Sequence, residues 1–221
     1  LKKHESRKLF YDKYLYKLEV RSSLATIFRN KNLVAARDVL DDLQNKLERN
    51  EPLVIKSYLR SETVLPKTLY EAQTIYSLLS QPVDYKLRIE KPVISIYSND
   101  KDFLINFASK MQQESHFYEP EANVRNLLEN NPNIIILKNQ IPYEYRITLG
   151  NQKTYDFKDW LHNNPDKVKA SSKLLQYLDS NRNVDGQILY ARDDKIIQLL
   201  SLMNVTIRRI DKIVCEQNLD K

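Results

Sequence analysis

Glycine occurs only twice in the 221 residues, at Gly150 and Gly186. Loops that cradle phosphates need several glycines, for tight turns and for close approach of the backbone to the ligand. Two cannot supply a Walker loop or a dinucleotide fingerprint, and no cofactor is expected. Cysteine occurs once, at Cys215, which excludes an intrachain disulfide and a cysteine-built zinc site. Cys215 reads as a small buried residue beside the last strand rather than a reactive thiol, because no basic partner is fixed near it. The three histidines, His4, His116 and His162, lie far apart with no second ligand at helical spacing, so they predict no metal site. His162 follows Trp160-Leu161 and reads as a helix-end residue whose charged form favours the last carbonyls. No glycine-flanked serine elbow marks a nucleophile.

Long apolar runs are missing too. No stretch approaches the roughly 18 residues that a membrane span needs. The charged opening Leu1-Lys2-Lys3-His4-Glu5-Ser6-Arg7-Lys8 has no apolar signal core behind it. The expectation is a cytoplasmic chain with no membrane partner. Because the chain opens on Leu1 rather than methionine, a few residues are expected ahead of it.

Apolar residues make up 42% and charged residues 29%. That is enough for a packed core under a solvated surface, and the length fits one large domain or two small ones. The formal charge of +6 is compatible with a polyanionic partner. Fourteen tyrosines, with abundant lysine, asparagine and isoleucine, suit a low-GC genome such as that of a phage or virus.

Hydrophobic periodicity outlines the elements. Residues 1–12 are polar and basic and read as a loose arm or a short helix. Residues 14–20 alternate: Tyr14, Tyr16, Leu18 and Val20 face one way, Lys17, Glu19 and Arg21 the other, as in a half-buried strand. Leu33, Ala36, Leu40, Leu43 and Leu47 recur at helical spacing after a cap at Asn32, and Asn50 with Pro52 ends that helix. Residues 53–59 read as a strand. Pro66 and a capping box, Thr68 with Glu71, open a second helix through Ser80. Strands follow at 85–89 and 93–97, then a helix capped at Asn99 or Asp100 and carrying Phe103, Leu104, Phe107, Ala108 and Met111. Residues 114–133 are mixed and asparagine-rich and are expected to divide the chain into halves at 13–120 and 134–221, with a linker region at 121–133. The second half reads as strands at 134–137, 143–149 and 186–191. Helices are expected at 156–162, at 172–179 and after a cap at Asp193. A last strand spans 205–214, and its alternation slips at Arg208-Arg209 as at a β-bulge.

A weak repeat links the halves. Residues 14–20 (YLYKLEV) align with 143–149 (YEYRITL), and Ile96-Tyr97-Ser98 aligns with Leu189-Tyr190-Ala191, each followed by an acidic cap and an apolar helix. The expected fold class is α+β: two small mixed sheets backed by helices, as in a degenerate tandem ferredoxin-like repeat.

The candidate site is a set of basic residues on the strand faces opposite the apolar ones: Lys17, Arg21, Lys86, Arg88 and Arg146, with Arg208, Arg209 and Lys212 at the end of the chain. Such cations bind phosphates if they share an open sheet face. Tyr14, Tyr16, Tyr143 and Tyr145 share faces with aliphatic residues and are expected in the core, not on a base-stacking surface. Asp185 with Asp193-Asp194-Lys195 resembles the D-x-K element of restriction-type nucleases, but Asp193 falls at a helix start and reads as a cap. The leading expectation is a non-catalytic nucleic-acid-binding accessory protein of phage or viral origin. The alternatives are a protein-interaction or viral assembly module, binding a protein partner or a second copy through its tyrosine-rich strands, and a metal-dependent nuclease.

Overall fold

The computed structural model of the protein describes residues 1–56, 61–152 and 156–216. The chain divides into two compact units, Leu1–Glu129 and Asn130–Lys221.

The first unit opens with β1 (Lys2–Ser6), β2 (Tyr16–Arg21) and a 3-10 segment (Ala25–Lys31). Helix α1 (Leu33–Glu48) begins where the side chain of Asn32 accepts a hydrogen bond from Ala35 N at 3.0 Å, relieving one of the unpaired donors of the first turn. Strands β3 (Val54–Lys56) and β4 (Ser61–Thr63) pair with each other. The rest of the strand expected at 53–59 falls at 57–59, outside the described residues. Helix α2 (Pro66–Leu79) starts with proline in its first turn and Leu65 at the cap position. The expected capping box therefore does not form: the fixed φ of Pro66 starts the helix early enough to place Thr68 inside it. Then come β5 (Tyr85–Glu90), β6 (Val93–Ser98), α3 (Lys101–Lys110), β7 (His116–Pro120) and α4 (Arg125–Asn130). Asp100 caps α3, accepting from Phe103 N at 2.8 Å.

The second unit runs β8 (Ile134–Leu137), β9 (Tyr145–Leu149), α5 (Asp156–Asn163), β10 (Val168–Ala170) and α6 (Ser172–Asp179). It continues through β11 (Ile188–Ala191), α7 (Asp194–Leu202) and β12 (Ile207–Cys215). Gly186, at φ 73°, turns the chain into β11 in a conformation that a Cβ disfavours. The ladder of β12 with β9 shifts between Ile207 and Arg209, which is the bulge read from the slip in alternation. Cys215 is buried at the end of β12.

Each unit is a five-stranded sheet, and the two sheets share one topology. The first has the order β1-β7-β2-β6-β5, the second β8-β12-β9-β11-β10 when written from its first strand. The senses agree as well: the first strand of each unit lies parallel to the last, and every other neighbouring pair is antiparallel. Setting β1 and β8 aside leaves strand, helix, strand, strand, helix, strand, the ferredoxin-like order. The first unit adds α1 and the β3–β4 pair ahead of α2, and the second inserts α6 between β10 and β11. The ladders also fix the alignment. Tyr16 and Tyr145 lie opposite Ser98 and Ala191, so Tyr16-Lys17-Leu18 corresponds to Tyr145-Arg146-Ile147, as the sequence motifs align.

Helices cover one face of each sheet. In the first unit Leu18, Val20, Ile94, Ile96 and Phe117 pack against Leu43, Leu69, Ile75, Leu104 and Phe107. In the second, Ile147, Leu149 and Leu189 pack against Phe157, Leu174, Leu178, Ile196 and Leu200. Full burial of each such side chain is worth about 1.5–3 kcal/mol, which fixes which face of every strand points inward.

The expectation for the first twelve residues is corrected. The basic arm at 1–12 is not loose or helical, because residues 2–6 form β1, parallel to β7 with Lys2 opposite His116 and His4 opposite Tyr118. An edge strand buries little, so its polar side chains give no apolar period, and lysines there guard against edge-to-edge pairing. The region 114–133 holds β7 and α4, and the two units divide within it, between Glu129 and Asn130. Phe117 is the one inward-facing anchor of β7 that is large and apolar, too little to mark a strand in sequence.

Candidate nucleic-acid interface

Cross-strand partners point to the same face, so register determines which side chains share the face the core does not occupy. In the first unit Lys17 on β2 lies opposite Tyr97 on β6, and Tyr97 lies opposite Lys86 on β5. In the second, Arg146 on β9 lies opposite Tyr190 on β11, and Tyr190 lies opposite Lys169 on β10. The two units thus carry the same row across the middle of this face: a cation, a tyrosine and a lysine, on corresponding strands.

The row of the first unit is filled. The segment before β2 lays Phe10 and Tyr11 on Tyr97, with ring centroids 5.7 and 4.8 Å away. Tyr97 is left 5% exposed. Lys86 Nζ sits 3.7 Å from the centre of the Tyr11 ring, and Lys17 Nζ 4.5 Å from that of Tyr118. Both are cation–π distances. Lys17 also pairs with Glu19 at 2.5 Å, and Tyr118 donates to the other oxygen of Glu19 at 3.2 Å. Burial works to raise the Glu19 carboxyl, but the Lys17 ammonium and the Tyr118 hydroxyl outweigh it and hold Glu19 below its ordinary value. His4 stacks on Tyr118 at 4.6 Å and meets His116 nitrogen to nitrogen at 2.9 Å.

Burial raises the Tyr97 phenol to about 12. The folded state holds this proton after the unfolded chain, near 10, has released it. The stability it contributes is whole below pH 10 and lost between pH 10 and about 12. Tyr97→Phe should flatten that loss, read as urea midpoints across this pH window. An unchanged slope in Tyr97→Phe would show that another group carries it.

The row of the second unit is open. Ile135, Leu137, Tyr143, Arg146, Lys169 and Tyr190 are among the residues lining a groove of about 560 Å3. Tyr143 and Tyr190 meet at 6.2 Å with their rings tilted 45°. Nε of Arg146 is buried and has no hydrogen-bond partner among the described residues. Asp211 lies opposite Arg146 in the ladder, but its carboxylate is engaged by Nε of Arg209.

The structure sorts the expected site residues. Lys17, Arg21, Lys86 and Arg88 do share one sheet face, and Arg88 is tied to Glu90 there. Arg146 and Arg209 share the corresponding face of the second unit. Arg208 occupies the bulge, exposed, 4.0 Å from Asp185. Lys212 lies opposite Tyr145 and Ile134, on the other face from Arg146, because the bulge shifts the parity of the strand. Of the tyrosines assigned to the core, Tyr14 and Tyr16 are buried and Tyr145 packs against the second core, but Tyr143 lines the groove. Sequence reasoning missed Lys169, Tyr97 and Tyr190 as site residues. The two tyrosines were visible as the matched centres of a repeat, but their cationic neighbours come from strands distant in sequence.

Asp193 caps α7, accepting from Ile196 N at 3.3 Å, and Lys195 lies in the first turn. Among the described residues no three His, Cys, Asp or Glu side chains are grouped to hold a metal ion. Among the same residues no helix is long and apolar enough to cross a membrane. Comparison with protein-family models, curated proteins and solved structures gives no match.

Proposed function

We propose that the protein is a non-catalytic nucleic-acid-binding accessory protein acting through the sheet faces opposite the helices. The observation that carries this reading is the row of cation, tyrosine and lysine found at the same place in both units. Lysine and arginine neutralise phosphates, and aromatic side chains on a sheet offer bases a flat partner. The net charge of +6 favours a polyanion at longer range. The tyrosine-, lysine- and asparagine-rich composition supports a phage or viral source, and hence a host cytoplasm as the place of action.

Charge pairing ranks the contacts. Arg88 and Arg209 are each held by a carboxylate, whereas Arg21 is exposed and Arg146 has an unpaired Nε. Arg146, Lys169 and Arg21 are therefore expected to contribute more than Arg88 or Arg209. The two phosphate contacts of the second unit, Arg146 and Lys169, imply a slope of about −1.4 in log affinity against log salt for a single strand. Fluorescence anisotropy with labelled DNA and RNA at several salt concentrations tests this. Arg146→Gln should reduce the slope by roughly 0.7 and Arg88→Gln by less. Absence of binding to any nucleic acid at low salt would overturn the reading in favour of an assembly module.

A further inference from the structure

We infer that the groove of the second unit receives one unpaired nucleotide of a single strand, its base against Tyr143 and Tyr190 and its phosphate on Arg146 and Lys169. The inference rests on the nucleic-acid reading and narrows it to single strands and to one unit.

The first unit displays what the site accepts. There the equivalent row is occupied by the chain's own Phe10 and Tyr11, aromatic rings lying on Tyr97 beside Lys17 and Lys86. In the second unit the corresponding segment, residues 138–144, has Tyr143 as its single aromatic residue, and a groove of about 560 Å3 remains beside it. By analogy with the first unit, the groove has room for a further flat ring.

Its charge is also specified. In the first unit Glu19 neutralises Lys17. Thr148 takes the place of Glu19 in the second, and Asp211 is engaged by Arg209. Nε of Arg146 is consequently buried without an acceptor among the described residues, a cost that a ligand oxygen would remove. Arginine offers phosphate several donors in a fixed fork, and Lys169, two strands away on the same face, adds a second cation. An aromatic ring joined to a phosphate meets both demands. A duplex hides its base faces in the stack, so the ring must come from an unpaired nucleotide.

The experiment compares a fluorescein-labelled oligothymidylate, an abasic strand of the same length and a duplex by anisotropy. The wild-type protein should bind the oligothymidylate about tenfold more tightly than the abasic strand, the scale of one base stacked on an aromatic ring. Tyr190→Ala should abolish that difference, Tyr190→Phe should keep it, and Arg146→Gln should weaken both strands. Thermal melts confirm that each variant folds, and the comparison of the two strands on wild-type protein needs no variant. Equal affinity for the two strands, a preference for duplex, or an equal loss on both strands in Tyr190→Ala would overturn the groove assignment while leaving nucleic-acid binding intact. Failure to bind any of the three probes would overturn both.

Discussion

Replacing Phe117 with alanine is expected to destabilise the first unit by about 3–5 kcal/mol. The side chain is fully buried and its ring lies 5.9 Å from that of Tyr16, the two planes within 15°. Phe117 anchors β7, which lies between β2 and β1. Its loss opens a cavity at the point where both neighbours depend on β7 for their ladders, so the surroundings have little freedom to collapse into the gap. Urea unfolding followed by far-UV circular dichroism should show the midpoint falling with the slope unchanged, and Phe117→Leu should recover most of the loss. A cost below about 1 kcal/mol, the scale of a typical surface-to-moderate substitution, would contradict the central placement of β7.

The elements read most directly from sequence are those that bury one clean face. α1 shows its leucines at helical spacing, and β5 alternates over its whole length. The bulge at Arg208-Arg209 was legible because it breaks a strong alternation. β1 was illegible for the opposite reason: as an edge strand with exposed lysines it has no apolar side. The matched topology of the two sheets was signalled by the tyrosine-centred motifs, which fall on corresponding strands in the same register. The groove was not legible. Its walls come from β8, β9, β10, β11 and β12 and the segment before β9, and only the ladders bring Lys169 and Tyr190 beside Arg146. Local pattern gives the face of a residue, whereas a site depends on which strands lie side by side.

Electrostatic bookkeeping alters the weight of the basic residues more than their placement does. Read from sequence, Arg88, Arg146, Arg208 and Arg209 are equivalent phosphate ligands. In the fold Arg88 is paired with Glu90 two positions along the same face, and such exposed pairs contribute little and are weakened further by salt. Arg88 can therefore be recruited by a phosphate at modest cost. Arg209 differs because its partner is buried.

Arg209→Ala is accordingly expected to act on stability before it acts on binding. The Asp211 side chain is 3% exposed and its Oδ1 accepts from Nε of Arg209, whose own side chain is 23% exposed. Removing the guanidinium strands a carboxylate inside the sheet, next to the bulge and opposite Arg146. Breaking a buried pair from one side costs about 3–5 kcal/mol, and the lower end, about 3 kcal/mol, applies because part of Arg209 is in water. Trp160, the single tryptophan, packs against the second core and reports the transition by fluorescence. In urea, Arg209→Ala should lower the midpoint clearly, whereas Arg209→Ala with Asp211→Ala should restore much of it, because no buried charge is then left unpaired. The cycle also separates the two arginines of the second sheet face. Arg146→Gln should lower affinity for nucleic acid with little change in the midpoint, since it removes a cation whose Nε has no partner among the described residues. Were Arg209→Ala to leave the midpoint unmoved and the double variant to behave the same way, Asp211 would not depend on Arg209, and Arg209 would return to the set of cations available to phosphate.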